Sequence, residues 1–446
     1  MPAADRHAAP EYAMRRAARR GFPVLVAAAV TAGCGSSHSP GFLDRDYPHL
    51  TRRPPHLRVC SGGVAQTFVG VALRVYNEAV AGRPVRLEVL RLESSAPLAR
   101  AVASGNGRAA RAALSHLLNQ VVRIRVTRGS HLVAASGNHV AIAPVQGTVG
   151  NPSGPHAGHI VLSALNADSY VSLVSHLTGA EVLVREGDRQ IAGTLKPGPP
   201  TVPIRGPLVY RGRHYQVFSF EGRAFGRSAP APARISLLMP AATPIRCAKT
   251  GTLTETAALG YVAERIYQGE VTGPRVDIAL AAAANSRKLQ RAAVRNDPAL
   301  ARAGIVQLFR NHLHVVRVQV LRGSQLVADV GGVHSIGPIP GPLGGPARRV
   351  AGHVVLSVQD DLGLILLIRR FTGADVIIRQ GSRLVRSTIR PGPSDIPDLG
   401  QVSYKGHQYE AFSFNAQGFP SGTLRVSLLL PRNPATLTPP GPAAGP

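Results

Sequence analysis

Tryptophan is absent from this 446-residue chain, aromatic residues make up 5% of it, and the lysines are confined to Lys196, Lys249, Lys288 and Lys405. A nucleic-acid surface concentrates its basic residues and interleaves them with stacking rings. Here the cations are arginines spread along the chain, so the net charge of +27 reads as composition plus attraction to acidic lipid or wall polymer, with no nucleic acid as partner. Only 24 carboxylates occur, and none pairs with another in a pattern suited to acid–base work. A Gly-x-Ser-x-Gly elbow, a phosphate loop ending in lysine and a His-Glu-x-x-His helix are all missing. Three cysteines in no Cys-x-x-Cys arrangement exclude the common zinc frameworks. His159 and His353 each lack a second histidine at ligand spacing. No metal, cofactor or enzymatic activity is therefore expected. Lys249-Thr250-Gly251-Thr252-Leu253-Thr254-Glu255 is similar to the phosphorylation motif of P-type ATPases, but Ala248 occupies the position of the essential aspartate. Without that carboxylate no acyl phosphate forms, and the segment reads as the start of a helix capped by Thr252 or Thr254.

What the chain does contain is a long stretch written twice. Val121-Val122-Arg123-Ile124-Arg125-Val126-Thr127-Arg128-Gly129-Ser130 returns 194 positions later as Val315-Val316-Arg317-Val318-Gln319-Val320-Leu321-Arg322-Gly323-Ser324. The same offset relates Gly158-His159-Ile160-Val161-Leu162-Ser163 to Gly352-His353-Val354-Val355-Leu356-Ser357, and Tyr210-Arg211-Gly212 to Tyr404-Lys405-Gly406. A unit of this length is a duplicated globular domain rather than a short solenoid repeat. The boundaries fall at 56–240 and 246–431, followed by a Pro-rich tail over 432–446 that reads as disordered. Each repeat is expected to fold by itself.

The first 34 residues supply a location. Arg15, Arg16, Arg19 and Arg20 precede an apolar run from Phe22 to Thr31, which Ala32-Gly33-Cys34 closes with small residues. The run is too short for a permanent transmembrane helix, and the order is that of a secretory signal. It resembles a bacterial lipoprotein signal spanning 1–33, departing from it at Thr31, and the resemblance implies lipidation of Cys34. Ala18-Arg19-Arg20-Gly21-Phe22 is similar to a degraded twin-arginine signal, with the general secretory route as the alternative. Met14 would start a more compact signal than Met1. Residues 34–55, rich in Gly, Ser, Pro and His, read as a flexible spacer. In an oxidising compartment Cys60 and Cys247 are candidates for a disulfide between the starts of the repeats, with two separate thiols as the alternative.

Each repeat opens helical and continues as sheet. Val64–Ala81 and Leu259–Gly269 read as first helices, interrupted by Pro84 and Pro274. Val85, Leu87 and Val89 alternate, so that stretch is a strand or a helical turn. Ala113, Leu114, Leu117 and Leu118 lie at helical spacing. Beyond Gln120 the period becomes two, with Val122, Ile124 and Val126 on one face and Arg123 and Arg125 on the other. Gly129-Ser130 and Gly323-Ser324 are hairpin turns. Asn166–Leu177 reads as a short helix between further strands. The fold class is α+β, a helical lead with an antiparallel sheet.

The helical lead, the Val-Arg-Ile-Arg-Val-Thr-Arg-Gly-Ser-His hairpin, the Pro-rich loop from Pro144 to Pro155 and the Gly-His-Ile-Val-Leu-Ser strand together resemble a Cache domain. That family is PAS-like and extracytoplasmic, and the resemblance implies two sensory domains behind a lipid anchor, with a small-molecule ligand and a partner that carries the output. If each domain encloses a pocket, Arg123 with Tyr215 and Arg317 with Tyr409 are the candidate contacts, an arginine fork beside a tyrosine hydroxyl suiting a carboxylate. The plainer reading places these arginines in solvent and the tyrosines in the core. Asn166 and Tyr170 correspond to Asp360 and Leu364, so the two pockets need not take the same compound. The alternative function is an envelope protein that binds another protein or wall polymer without a small ligand.

Overall fold

In the computed structural model the described residues are 61–117, 121–137, 140–151, 154–226, 229–240, 252–344 and 350–432. The expectations for the signal, Cys34, the spacer, the Cys60–Cys247 bridge and the tail beyond 432 lie outside them. The described residues are 37% helix and 40% strand, and every strand pairing among them is antiparallel, as in β1–β5 and β12–β16.

Repeat one begins with α1 (Ser61–Ala81), α2 (Arg83–Glu93), α3 (Ala96–Ala103) and α4 (Gly107–Leu117). Phe68, Val71, Ala72, Val75 and Tyr76 are buried on α1 at the three-and-four spacing of one helix face. The alternating stretch after Pro84 is α2. Gly82 stands at its N-cap and Pro84 in its first turn, where a missing N–H costs nothing, so the proline starts this helix instead of preventing it. Ser95 accepts from the Leu98 N–H at 3.3 Å to open α3, and Asn106 accepts from the Ala109 N–H at 3.0 Å in the next first turn.

Two sheets follow in repeat one, and sheets of four, two and five strands in repeat two, where the sequence pattern suggested one per repeat. The first sheet has the order β2-β1-β5-β4, made from β1 (Arg123–Arg128), β2 (His131–Ser136), β4 (Val145–Asn151) and β5 (Gly154–Ser163). The second has the order β6-β3-β10-β11-β7-β8, with β9 beside β10. Its strands are β3 (Ala141–Ile142), β6 (Leu165–Asn166), β7 (Glu181–Glu186), β8 (Arg189–Gly193), β9 (Arg205–Tyr210), β10 (Arg213–Ala224) and β11 (Ala231–Pro240). Helix α5 (Ala167–Thr178) lies between β6 and β7. Ser163 makes the crossing from one sheet to the other. Fully buried, its hydroxyl donates to the Ile142 carbonyl and accepts from the Leu165 N–H at 3.2 Å, so the last residue of β5 is tied to β3 and to the chain leaving for β6.

Repeat two reproduces this plan with α6 (Thr252–Thr272), α7 (Pro274–Ala284), α8 (Arg287–Arg295), α9 (Pro298–Asn311), β12 (Arg317–Arg322), β13 (Gln325–Gly331), β14 (Ser335–Ile336), β15 (Ile339–Leu343), β16 (Gly352–Ser357), β17 (Gln359–Asp360), α10 (Asp361–Thr372), β18 (Asp375–Gln380), β19 (Arg383–Ser387), β20 (Leu399–Tyr404), β21 (His407–Gln417) and β22 (Thr423–Pro431). Ser357 repeats the bonds of Ser163, to the Ile336 carbonyl and from the Gln359 N–H. The Tyr76 hydroxyl accepts from the Arg223 N–H at 2.7 Å and the Tyr267 hydroxyl from the Gln417 N–H at 2.9 Å. The two tyrosines stand 191 positions apart, and their partners 194. Three additional residues therefore separate the helical lead from the sheets in repeat two.

The repeats share a core. One apolar cluster joins Phe68 and Val71 of α1, Tyr170 and Val174 of α5, Leu259 and Val262 of α6, and Leu364 and Ile368 of α10, with residues of both second sheets around them. Across this seam the Arg265 guanidinium donates to the His176 carbonyl at the end of α5, and His176 Nε2 donates to the Arg265 carbonyl at 3.2 Å. A cation at a helix C-terminus complements the dipole there. On the other side Arg370 meets Glu78 at 3.0 Å, an exposed pair of small energetic weight. The described residues of both repeats fall in one compact unit, so the two repeats are expected to unfold together and not as separate transitions. Residues 56–240 expressed alone should therefore lack the sharp unfolding transition of the full chain and bind a dye for exposed apolar surface. A sharp transition without dye binding would contradict the shared core.

Hairpin geometry fixes a second expectation. Arg128 pairs with His131, which leaves Gly129-Ser130 as a two-residue turn. Gly129 has φ of 55°, and Gly323 in the copy has 58°. A positive angle at the first turn residue alone is the type II′ pattern. A β-carbon at Gly129 would meet nothing within 4 Å, so the cost of a side chain there is that of the backbone. Gly129→Val should lower stability by about 1–3 kcal/mol, while Ser130→Asn should change it by less than about 0.5 kcal/mol. Urea midpoints of the full chain measure both.

Candidate functional site

Each repeat carries a partly open hollow, which in repeat one lies where the first sheet meets the second. In repeat one β1 brings Arg123, the start of β3 brings Val140 and Ala141, the β7–β8 hairpin brings Glu186, Arg189 and Ile191, and the end of β10 brings Ala224 and Phe225. The volume is about 190 Å³. In repeat two the equivalent walls carry His334 for Val140, Gln380 for Glu186, Arg383 for Arg189, Val385 for Ile191 and Phe419 for Phe225. Each of these replacements stands 194 positions on, so the two hollows are copies of one site. The second is smaller, about 70 Å³.

An arginine laid on a phenylalanine recurs in both repeats, Arg123 in the wall of the first hollow and Arg317 over the phenylalanine that lines the second. The Arg123 guanidinium lies 4.8 Å from the Phe225 ring centroid and donates to the Phe225 carbonyl at 3.2 Å. Arg317 lies at the same 4.8 Å from Phe419. Stacking on the quadrupole of the ring restrains the guanidinium without neutralising it. Arg125, one pleat further on, is buried, lies 5.2 Å from the same Phe225 ring and donates to the Gly226 carbonyl at 3.1 Å. Arg123 and Arg317, which the plainer reading placed in solvent, are half-buried, and Arg125 is buried on the same face of β1, which reaches the Gly226 end of the second sheet. Burial lowers the pKa of Arg125, and the neighbouring Arg123 lowers it further.

The charges around the two arginines differ between the copies. Asp329 of β13 grips Arg317, with Nε to Oδ1 at 2.9 Å and Nη2 to Oδ2 at 2.7 Å, and Gln319 donates to the same carboxylate at 2.9 Å. These bonds hold the Asp329 carboxyl below its usual range and raise Arg317. The corresponding positions of repeat one are Ala135 and Arg125. Among the described residues no carboxylate pairs with Arg123. The acid of the first hollow, Glu186, is paired with Arg189 on its own hairpin.

The tyrosines of the sequence reading do not join the arginines. Tyr215 is buried at the start of β10 in a small cluster with Leu183, Val217 and Leu238, nine residues from Ala224 and so about 30 Å along the strand. Tyr409 packs likewise against Ile377, Ala411 and Leu429. The arginines lie in the first sheet and the tyrosines at the far end of the second, a separation invisible while a single sheet was assumed. Asn166 and Asp360 are helix N-caps, and the Tyr170 hydroxyl donates to the Ala72 carbonyl at 3.0 Å inside the core. These positions thus serve the core, not a pocket. Phe225 and the Glu186–Arg189 hairpin were missed. The signal for them was the offset itself, which matches Phe225 to Phe419 and Arg189 to Arg383. His159 and His353 are exposed, and among the described residues no group of His, Cys, Asp and Glu is arranged to hold a metal.

No family model matches the chain, and no curated protein matches it. Solved structures similar to it include the periplasmic domain of Vibrio cholerae LuxQ, at 10% identity and a TM-score of 0.30, covering 40% of this chain and all of that one. An extracellular ligand-binding receptor from Desulfohalobium retbaense is similar at 13% identity and a TM-score of 0.25. That match covers 47% of this chain, which spans less than half, 46%, of the receptor.

The Arg317–Asp329 grip yields a prediction with a defined pH window. Both side chains are more than three-quarters shielded, so Asp329→Asn should cost about 1.5–3 kcal/mol at pH 7, the range for a hydrogen bond to a charged group. Because the folded carboxyl titrates lower than the unfolded one, its contribution is complete above the ordinary value of 3.8 and disappears as pH falls through the folded value. Urea midpoints of wild type and variant should converge in acid. A gap that does not narrow as the pH falls below 3.8 would show that the loss is not ionic.

Proposed function

We propose that the chain is an extracytoplasmic ligand-binding protein of the sensory kind, tethered by lipid at Cys34 to the outer face of a bacterial cytoplasmic membrane and acting through a partner. The observation that carries this reading is the pair of equivalent hollows, the first of them set between two sheets and walled by apolar side chains with a few charged ones, the composition of a small-molecule site. Position supports a sensory role, since a ligand there touches β1 of the first sheet and β3, β8 and β10 of the second together. The segment ending at Cys34 supports the anchor. No described helix is long and apolar enough to cross a membrane. No catalytic step, cofactor or nucleic-acid partner is proposed.

A second reading has one observation in its favour. Leu132 and Leu326, at matched hairpin positions, are 60% and 51% exposed, as a surface that binds a protein or wall polymer would present.

A thermal-shift screen of anionic, neutral and cationic metabolites on the mature chain separates the two. A ligand at a hundred times its dissociation constant stabilises by about 2.7 kcal/mol, enough for a visible rise in midpoint, and Val140→Trp at the exposed rim of the first hollow should abolish the rise. If no compound raises the midpoint, the ligand-binding reading falls and the surface reading stands. For the anchor, Cys34→Ser should release the protein from membranes, and an intact mass showing an unlipidated chain would remove the tether.

A further inference from the structure

The two hollows, being copies, invite the question of what their differences select. Three differences bear on it, and all concern charge or space. Among the described residues Arg123, over the first hollow, has a carbonyl and a ring for partners, whereas Arg317 is held in a bidentate ion pair by Asp329. Val140 gives way to His334 at the rim, so one apolar wall becomes polar. The space shrinks from about 190 Å³ to about 70 Å³.

We infer that the hollow of repeat one is the binding copy, that it takes a small organic monocarboxylate with a short apolar body, and that the hollow of repeat two is silent. The inference rests on the ligand-binding reading and narrows it. One of the Arg123 donors is occupied by the Phe225 carbonyl, and the remaining N–H groups are left for an oxyanion, which a guanidinium fork receives with two parallel bonds. Being stacked, the fork loses little freedom on binding. The opposite walls, Val140, Ile191 and Ala224, offer no polar partner for a second head group and suit an aliphatic body. Glu186 sets the upper limit on ligand charge. Although paired with Arg189, it lies in the wall and repels a dianion more than a monoanion, which disfavours phosphate monoesters and dicarboxylates. In repeat two Asp329 already occupies the fork, so an incoming carboxylate would have to displace a pair that neutralises itself.

Calorimetric titration of the mature chain with hexanoate, and with hexanamide as its uncharged counterpart, tests this. Hexanoate should bind once per chain and at least about tenfold more tightly than the amide. Arg123→Gln should weaken hexanoate by about tenfold or more, Arg123→Lys should fall between, and Arg317→Gln should bind as wild type does. Val140→Phe, at a rim residue 42% exposed, fills the space without touching charge and decides the matter if Arg123→Gln proves unstable; it should abolish binding. Binding of the amide as tight as that of the acid, two sites per chain, an unaffected Val140→Phe, or no heat up to about 10 mM hexanoate would each overturn the inference. If hexanoate fails while another compound of the metabolite screen raises the midpoint, the ligand class is wrong and the ligand-binding reading survives. If both fail, that reading goes with it.

Discussion

The burial of α1 and α6 against each other is the constraint on which the architecture rests. An amphipathic helix with one apolar stripe needs one neighbour, but Phe68, Val71, Ala72 and Val75 of α1 meet their own second sheet and α5 on one side, and α6 and α10 of the other repeat on the other. Fully burying such a side chain contributes about 1.5–3 kcal/mol, so each repeat draws a large part of its core from its twin. The close approach has a local requirement as well. A β-carbon at Gly260 of α6 would fall 2.1 Å from the Phe412 ring, so only glycine lets that helix settle on β21. Where the seam reaches water it turns polar and unequal. Arg265 reaches the end of α5, while at the other rim Glu78 and Arg370 form an ion pair.

Within that frame the duplication kept some contacts and altered others, and the division is instructive. The serine that ties the end of one sheet to the next, the tyrosine that holds the second sheet to the lead helix, and the arginine stacked on phenylalanine occur in both copies. The first two are buried hydrogen bonds, and leaving such partners unsatisfied costs more than the bond itself contributes. Changes occur in the core as well, where Tyr170 and Leu177 answer to Leu364 and Phe371, and around the hollows, at Ala135 and Asp329, Val140 and His334, Glu186 and Gln380. The second group alters charge and space at a cavity while the fold is kept, which is how two sites of different preference arise on one scaffold.

Local physics made part of this legible in the sequence. Gly129 and Gly323 announced their turns because a positive φ is cheap only for glycine, and alternation found β1 and β12. Around Val85 the pattern was ambiguous. Three alternating aliphatic residues fit a strand, and only the proline, sitting in a first helical turn, resolves them as α2. The division into two sheets was not legible at all. It depends on Ser163 and Ser357, whose hydroxyls bond carbonyls 21 residues back in the chain, and no periodicity reports such a contact. Misplacing that division separated the candidate pairs, since Arg123 and Tyr215 fall on different sheets. The repeat offset, by contrast, carried the site. Aligned at 194 positions, Phe225 and Phe419 coincide, and the hollow of one copy locates that of the other.

The excess of arginine, unexplained by composition alone, acquires a structural account. With few carboxylates available, many guanidinium groups bond carbonyls instead. Arg185 donates to the Pro199 and Pro200 carbonyls and its copy Arg379 to those of Gly392 and Pro393, while Arg425 holds the Ile396 carbonyl. Loops rich in proline have fewer N–H groups to pair their carbonyls internally, and a planar, multiply donating cation supplies the missing donors from a neighbouring strand. Positive charge is thereby spent on fastening loops at scattered places, which produces no continuous basic stripe of the kind a polyanion follows. The same chemistry bears on Arg123. A carboxylate partner, as Asp329 is for Arg317, fastens an arginine and cancels it; a carbonyl and a ring fasten it and leave the charge standing. Of the two duplicated arginines, the one held without a carboxylate is also the one beside the larger hollow.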